Sequence, residues 1–121
     1  SRLRDRYGGS VTYDEALAAR IRELLKPERG VAEKRMFGGL AFLIDGNMAV
    51  AASGRGGLLL RVDPADGARL LRRPEARPMV MRGREMDGWL RIDAEALHTK
   101  RELERWVRLG VAYASSLPPK D

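Results

Sequence analysis

His98 is the only histidine in this 121-residue sequence. It is the side chain whose ordinary ionisation lies nearest neutrality. General acid–base work needs an imidazole held by a second group, and Asp93 and Glu95 lie near enough in sequence to be weighed for that task. His98 also directly precedes a helix cap, where polar residues serve local backbone needs, so no catalytic role is assigned to it. Cysteine is absent. That excludes thiolate nucleophiles, disulfides and Cys-ligated zinc, and one histidine among scattered carboxylates is no metal ligand set. Gly54-Arg55-Gly56-Gly57 has the glycine content of a phosphate cradle. Such a cradle feeds a helix whose first amides face the anion. Here the segment feeds Leu58-Leu59-Leu60, which has strand character, and a hairpin turn is the better reading. The expectation is therefore no catalytic residue, no metal, no cofactor and no enzyme, with a small-ligand binder or an enzyme of unknown reaction, using a pocket between sheet and helices, as an alternative.

What remains is contact chemistry. Arg69, Arg72, Arg73, Arg77, Arg82, Arg84 and Arg91 are denser than arginines elsewhere, in a chain of net charge +6. Arginines gain affinity for nucleic acid by displacing phosphate counterions, which makes Arg69, Arg72, Arg73, Arg77, Arg82 and Arg84 candidate nucleic-acid contacts. Glu75, Glu85 and Asp87 dilute the cluster, and a solvated, salt-bridged surface is the competing reading. A second set is Phe37, Gly38, Arg84 and Trp89, candidates for contact with a protein partner. The glycines of Phe37-Gly38-Gly39 permit close approach of another chain beside an exposed aromatic. The plainer alternative, and the favoured one, is a strand-entry bulge with Phe37 in the core. Met36, Met79, Met81 and Met86 could form an adaptable surface, but core filling is the simpler role. Trp89 and Trp106 read as core anchors, with Trp89 open to partial exposure because it follows a glycine at a strand start.

These residues must be positioned by short elements. Thr12 and Glu15 have capping-box spacing ahead of a helix carrying Leu17, Ile21, Leu24 and Leu25, which Pro27 and Gly30 end. Strands are expected over 31–36, 40–44 and 48–52. Asp45-Gly46-Asn47 makes the hairpin between the last two, with Gly and Asn taking positive φ. A fourth strand follows at 58–62. Asp63-Pro64 opens a short helix to about Arg73, weakened by Gly67. Pro74 and Pro78 bracket a loop, and 79–81 and 89–92 form a strand pair joined by the 83–88 connection. Thr99 and Glu102 form a capping box before a helix whose apolar stripe is Leu103, Trp106, Val107, Gly110, Ala114 and Leu117. Residues 1–11 read as a flexible leader that need not all be native, and 12–119 as one domain. The expected class is α+β: a two-layer, mainly antiparallel sheet of five or six strands against helices, in the order α-β(3-4)-α-β(2)-α.

No apolar run approaches the roughly 20 residues of a membrane span, and the N-terminus lacks the apolar segment of a signal peptide, so a cytoplasmic protein is expected. The chain resembles the TfoX/Sxy N-terminal domain family. The resemblance is carried by Tyr13-Asp14-Glu15-Ala16-Leu17, Lys34-Arg35-Met36-Phe37-Gly38-Gly39, Gly46-Asn47-Met48, Arg77-Pro78-Met79, Gly83-Arg84-Glu85-Met86-Asp87-Gly88-Trp89 and Ala114-Ser115-Ser116-Leu117-Pro118. It implies the same two-layer fold and a non-enzymatic regulatory module, since full-length members regulate competence for DNA uptake alongside a transcription activator. It also implies a stand-alone form without the helical C-terminal domain of those members. Exposed edge strands and the glycine segments leave both a monomer and a homodimer open. It brings no catalytic residues.

Overall fold

The computed structural model describes residues 13–120. The leader and Thr12 lie outside them, and within them Asp14 caps the first helix, its Oδ1 accepting from the Leu17 amide at 3.1 Å. That helix, α1 (Glu15–Leu24), precedes β1 (Val31–Met36), β2 (Gly39–Ile44), β3 (Asn47–Ala52) and β4 (Leu58–Arg61). Then come α2 (Pro64–Leu70), β5 (Ala76–Met81), β6 (Arg84–Ile92), a 3-10 turn (Ala94–Leu97) that the sequence pattern did not signal, and α3 (Lys100–Ser116). The six strands form one sheet in the order β1-β2-β3-β4-β6-β5, every neighbouring pair antiparallel. The expected α+β class and element order are both present.

Three hairpins close on two residues with positive φ at both: Phe37-Gly38, Asp45-Gly46 and Arg82-Gly83. These are type I′ turns, whose twist matches that of the strands they join. In the second, the positive φ falls on Asp45 and Gly46 rather than on Asn47. Asn47 begins β3, and its side chain instead donates to Pro118 O at 2.9 Å, tying down the end of the chain. The expected loop from Pro74 to Pro78 is shorter than the spacing suggested. Pro78 lies inside β5, tolerated because β5 is an edge strand with a bulge just beyond it, between Pro78 and Val80. Likewise residues 84–88 extend β6 rather than form a connection, since the turn needs only Arg82 and Gly83.

All three helices cover one face. Leu17, Ile21 and Leu25 of the α1 region, Leu70 of α2, and Leu103, Trp106 and Val107 of α3 bury Phe42, Val50, Leu60, Leu90 and Ile92 beneath them. α3 holds this arrangement through both halves of its capping box: Thr99 Oγ1 accepts from the Glu102 amide, and Glu102 accepts from the Thr99 amide. The opposite face has its own apolar cluster, Ala41, Met48, Ala51, Leu59 and Met79, with Met36, Leu43, Met81 and Trp89 packed against it. Every member of that second cluster is a strand residue.

Candidate docking face

The face without helices is where the contact candidates meet. Its floor is made of small side chains, Ala41 and Ala51, beside Leu59, all almost fully buried. Nothing helical lies over them, so their cover comes from side chains reaching across the sheet. Phe37, at the tip of the β1–β2 turn, meets Trp89 of β6 edge-on, with ring centroids 6.2 Å apart and planes at 78°. In the strand order β3 and β4 lie between those two attachment points, so the aromatic pair arches over the alanine floor. Edge-to-face contact is a favoured aromatic geometry. Trp89 has a cationic neighbour as well. The Arg61 guanidinium lies 5.5 Å from the Trp89 ring and 5.4 Å from the ring of Tyr113 on α3.

Phe37 is not in the core at a bulge, which corrects the favoured sequence reading. It is 48% exposed and carries φ 55°, a conformation that bulky L-residues rarely adopt. Together with Phe37, Val80 at 51% and Met86 at 37% are the large apolar residues left exposed among the described residues, and Phe37 and Val80 flank one hollow on this face. Gly38 carries the second positive φ of the turn, 74°, and packs against the backbone of Gly54, where a Cβ on Gly54 would stand 2.5 Å from Gly38 O. Two glycines thus let the β1–β2 turn lean on the β3–β4 turn. Of the methionines expected as core fillers, Met79 is buried, Met36 and Met81 are half-buried on this same face, and Met86 is exposed. Trp106 is the core anchor it was expected to be, whereas Trp89 is half-buried.

Arg84 stands apart, exposed on the β5–β6 hairpin opposite Met81 and five residues from Trp89 along β6. The arginine cluster is dispersed in space. Arg69, Arg72 and Arg73 lie on or just after α2, on the helix side of the sheet, while Arg82 and Arg84 lie at the β5–β6 turn. Arg69 pairs with Asp66, Arg73 with Glu75, and Arg77 with Asp93 through two hydrogen bonds of 3.0 and 3.1 Å. Burial pushes the Glu75 carboxyl up, but its backbone hydrogen bond and Arg73 outweigh this and leave it below the ordinary carboxylate value.

His98 is exposed at the end of the 3-10 turn and edges a hollow with Arg20 and Leu24, where its carbonyl accepts from the Arg20 guanidinium at 3.4 Å. Asp93, its sequence neighbour, is engaged by Arg77. Among the described residues, no group of three His, Asp or Glu side chains could hold a metal ion, and no helix is long and apolar enough to cross a membrane. The sequence reading missed Arg61 and Tyr113, whose part depends on β4 lying beside β6. That pairing joins strands separated by α2 and β5, and no turn signal announces it. The family model of the TfoX N-terminal domain matches residues 23–114. No curated protein and no solved structure matches the chain.

Proposed function

The chain belongs to the TfoX N-terminal domain family, and from that premise we propose that it is a regulatory interaction module, related to competence regulators, that docks on another protein and performs no reaction of its own. The observation that carries this reading is the Phe37–Trp89 pair, an exposed aromatic held in an uncommon backbone conformation over a sheet face that no helix covers. Apolar side chains concentrated on one exposed face are what a partner buries. Arg84 supplies a polar rim contact on the neighbouring hairpin. Nucleic-acid binding through the arginine cluster is the weaker reading, because Arg69, Arg73 and Arg77 already face carboxylates and the rest do not form one stripe.

A photo-crosslinking residue at position 37 tests this in native extract. The expected result is one reproducible protein adduct that is lost on Trp89→Ala and not formed from the same crosslinker at position 69. Identical adducts from both positions, or none from position 37, would overturn the reading. Duplex DNA captured at low salt and released by Arg72→Ala with Arg82→Ala would favour the nucleic-acid reading instead.

A further inference from the structure

The uncovered face also contains a cavity of about 270 Å³, bounded by the Phe37 turn on one side and the end of β5 on the other. Its apolar wall is Met36, Ala51, Leu59, Met79 and Met81. Its polar wall is Ser53, Arg55 and Arg91, and no carboxylate lines it. The nearest acid along the chain, Asp93, is already held in a two-pronged pair by Arg77. Neither Arg55 nor Arg91 has an ion pair among the described residues. Burial, and secondly the charge of Arg55, push the Arg91 guanidinium below its ordinary value against the smaller opposing pull of Asp93, so Arg91 sits partly out of water within electrostatic reach of the exposed Arg55. Ser53 is buried and its Oγ accepts from the Arg55 amide at 3.1 Å, which fixes the hydroxyl beside the arginines.

Two like charges converging on an apolar hollow gain most from an anion placed between them. Guanidinium groups bind carboxylate and phosphate oxygens through short, charge-assisted hydrogen bonds. The methionine wall can adjust to the shape of an apolar body. We infer that this cavity binds a small amphipathic anion, one carboxylate or phosphate group at the end of a short apolar chain or ring. Its volume lies just under the ~300–1,000 Å³ common for ligand sites, so the occupant is small. The inference is independent of any docked protein, because the purified chain alone presents the whole cavity.

The test uses methionine-methyl NMR on the purified chain. Met36, Met79 and Met81 line the cavity, while Met86 does not and reports non-specific effects. Hexanoate, hexyl phosphate and the neutral control hexan-1-ol are titrated in turn. At least one of the two anions is expected to shift the three cavity methyls with a dissociation constant of roughly a millimolar or tighter, as a ligand of this size allows, and the tighter of the two identifies the headgroup. Hexan-1-ol is expected to bind at least about tenfold more weakly, and Arg55→Gln or Arg91→Gln to weaken the anion by a similar factor. Arg82→Gln removes the same charge outside the cavity and is expected to change nothing. Equal binding of hexan-1-ol, unchanged binding in both cavity variants, equal loss in the Arg82 variant, or no shift of the three methyls would overturn the inference.

Discussion

Phe37 and Arg82 hold the same backbone position in two different hairpins, and comparing them isolates what Phe37 does. Both precede a glycine in a two-residue turn, with φ 55° and 52°. A residue with a Cβ costs about 1–2 kcal/mol in the left-handed region, and Asn tolerates that region better than Phe or Arg. Arg82 is exposed and, among the described residues, has no hydrogen bond or ion pair that would repay the strain, so Arg82→Asn is expected to raise stability by about 0.5–1 kcal/mol in urea unfolding. Phe37→Asn relieves the same strain but forfeits the Trp89 contact, and an edge-to-face aromatic pair is worth about 0.5–1.5 kcal/mol. The two effects are of similar size, so Phe37→Asn is expected to leave stability within about 0.5 kcal/mol of the parent. A large loss instead would mean that Phe37 is mainly a structural clamp. A near-zero change fits a strained, exposed aromatic retained for contact rather than for folding.

At the scale of elements, two helical glycines give opposite expectations. In α2, a Cβ on Gly67 would lie 3.6 Å from the Gly88 amide nitrogen, an ordinary contact. Gly67→Ala therefore gains helix propensity without a clash and is expected to stabilise by about 0.5–1 kcal/mol. In α3, a Cβ on Gly110 would stand 2.5 Å from Ala49 O and 2.8 Å from Val50 Cγ1. The same propensity gain is outweighed by overpacking, and Gly110→Ala is expected to destabilise by about 1–3 kcal/mol as the helix is pushed off β3. Thermal or urea unfolding of the two variants decides both. The sequence made α3 plain, because its cap, its stripe and its terminating prolines agree, and it made the hairpins at 45–46 and 54–57 plain through their glycines. It misplaced the ends of β5 and β6. Pro78 reads locally as a breaker, and only the edge position of β5 makes it acceptable. Gly88 reads as a turn but sits in β6 close against Val62, a packing reason no local pattern carries.

At the scale of the molecule, the candidate face was legible in its residues and not in its assembly. Phe37 and Trp89 are both recognisable from glycine punctuation, but their meeting requires the β4–β6 pairing that places distant segments side by side. The same long-range closure leaves the open edge of β1, with Glu33, Lys34 and Arg35 exposed, fastened to α1 by the two-pronged Arg22–Glu33 pair. That fastening sets an acid limit on the fold. The hydrogen bond from Arg22 holds the Glu33 carboxyl below its ordinary value, the Thr99 amide does the same for Glu102, and Glu75 is also lowered. Carboxyls depressed in the folded state bind fewer protons than in the unfolded chain, so the stability they contribute is present above the unfolded value of about 4.3 and is lost as pH falls through their folded values. Protonation also adds to the positive charge the chain already carries, +6 at neutrality. The urea midpoint is therefore expected to be flat between about pH 5.5 and 7 and to fall steadily below about 4.5. Glu33→Gln is expected to lower the unfolding free energy at pH 7 by no more than a surface pair's worth, about 0.5–1 kcal/mol, because both side chains are a third or more exposed. The variant and parent curves should converge as the pH falls through the lowered folded-state value of Glu33, where the parent loses that charge. Parallel curves down to that pH would show that the Arg22–Glu33 pair does not hold the β1 edge to α1.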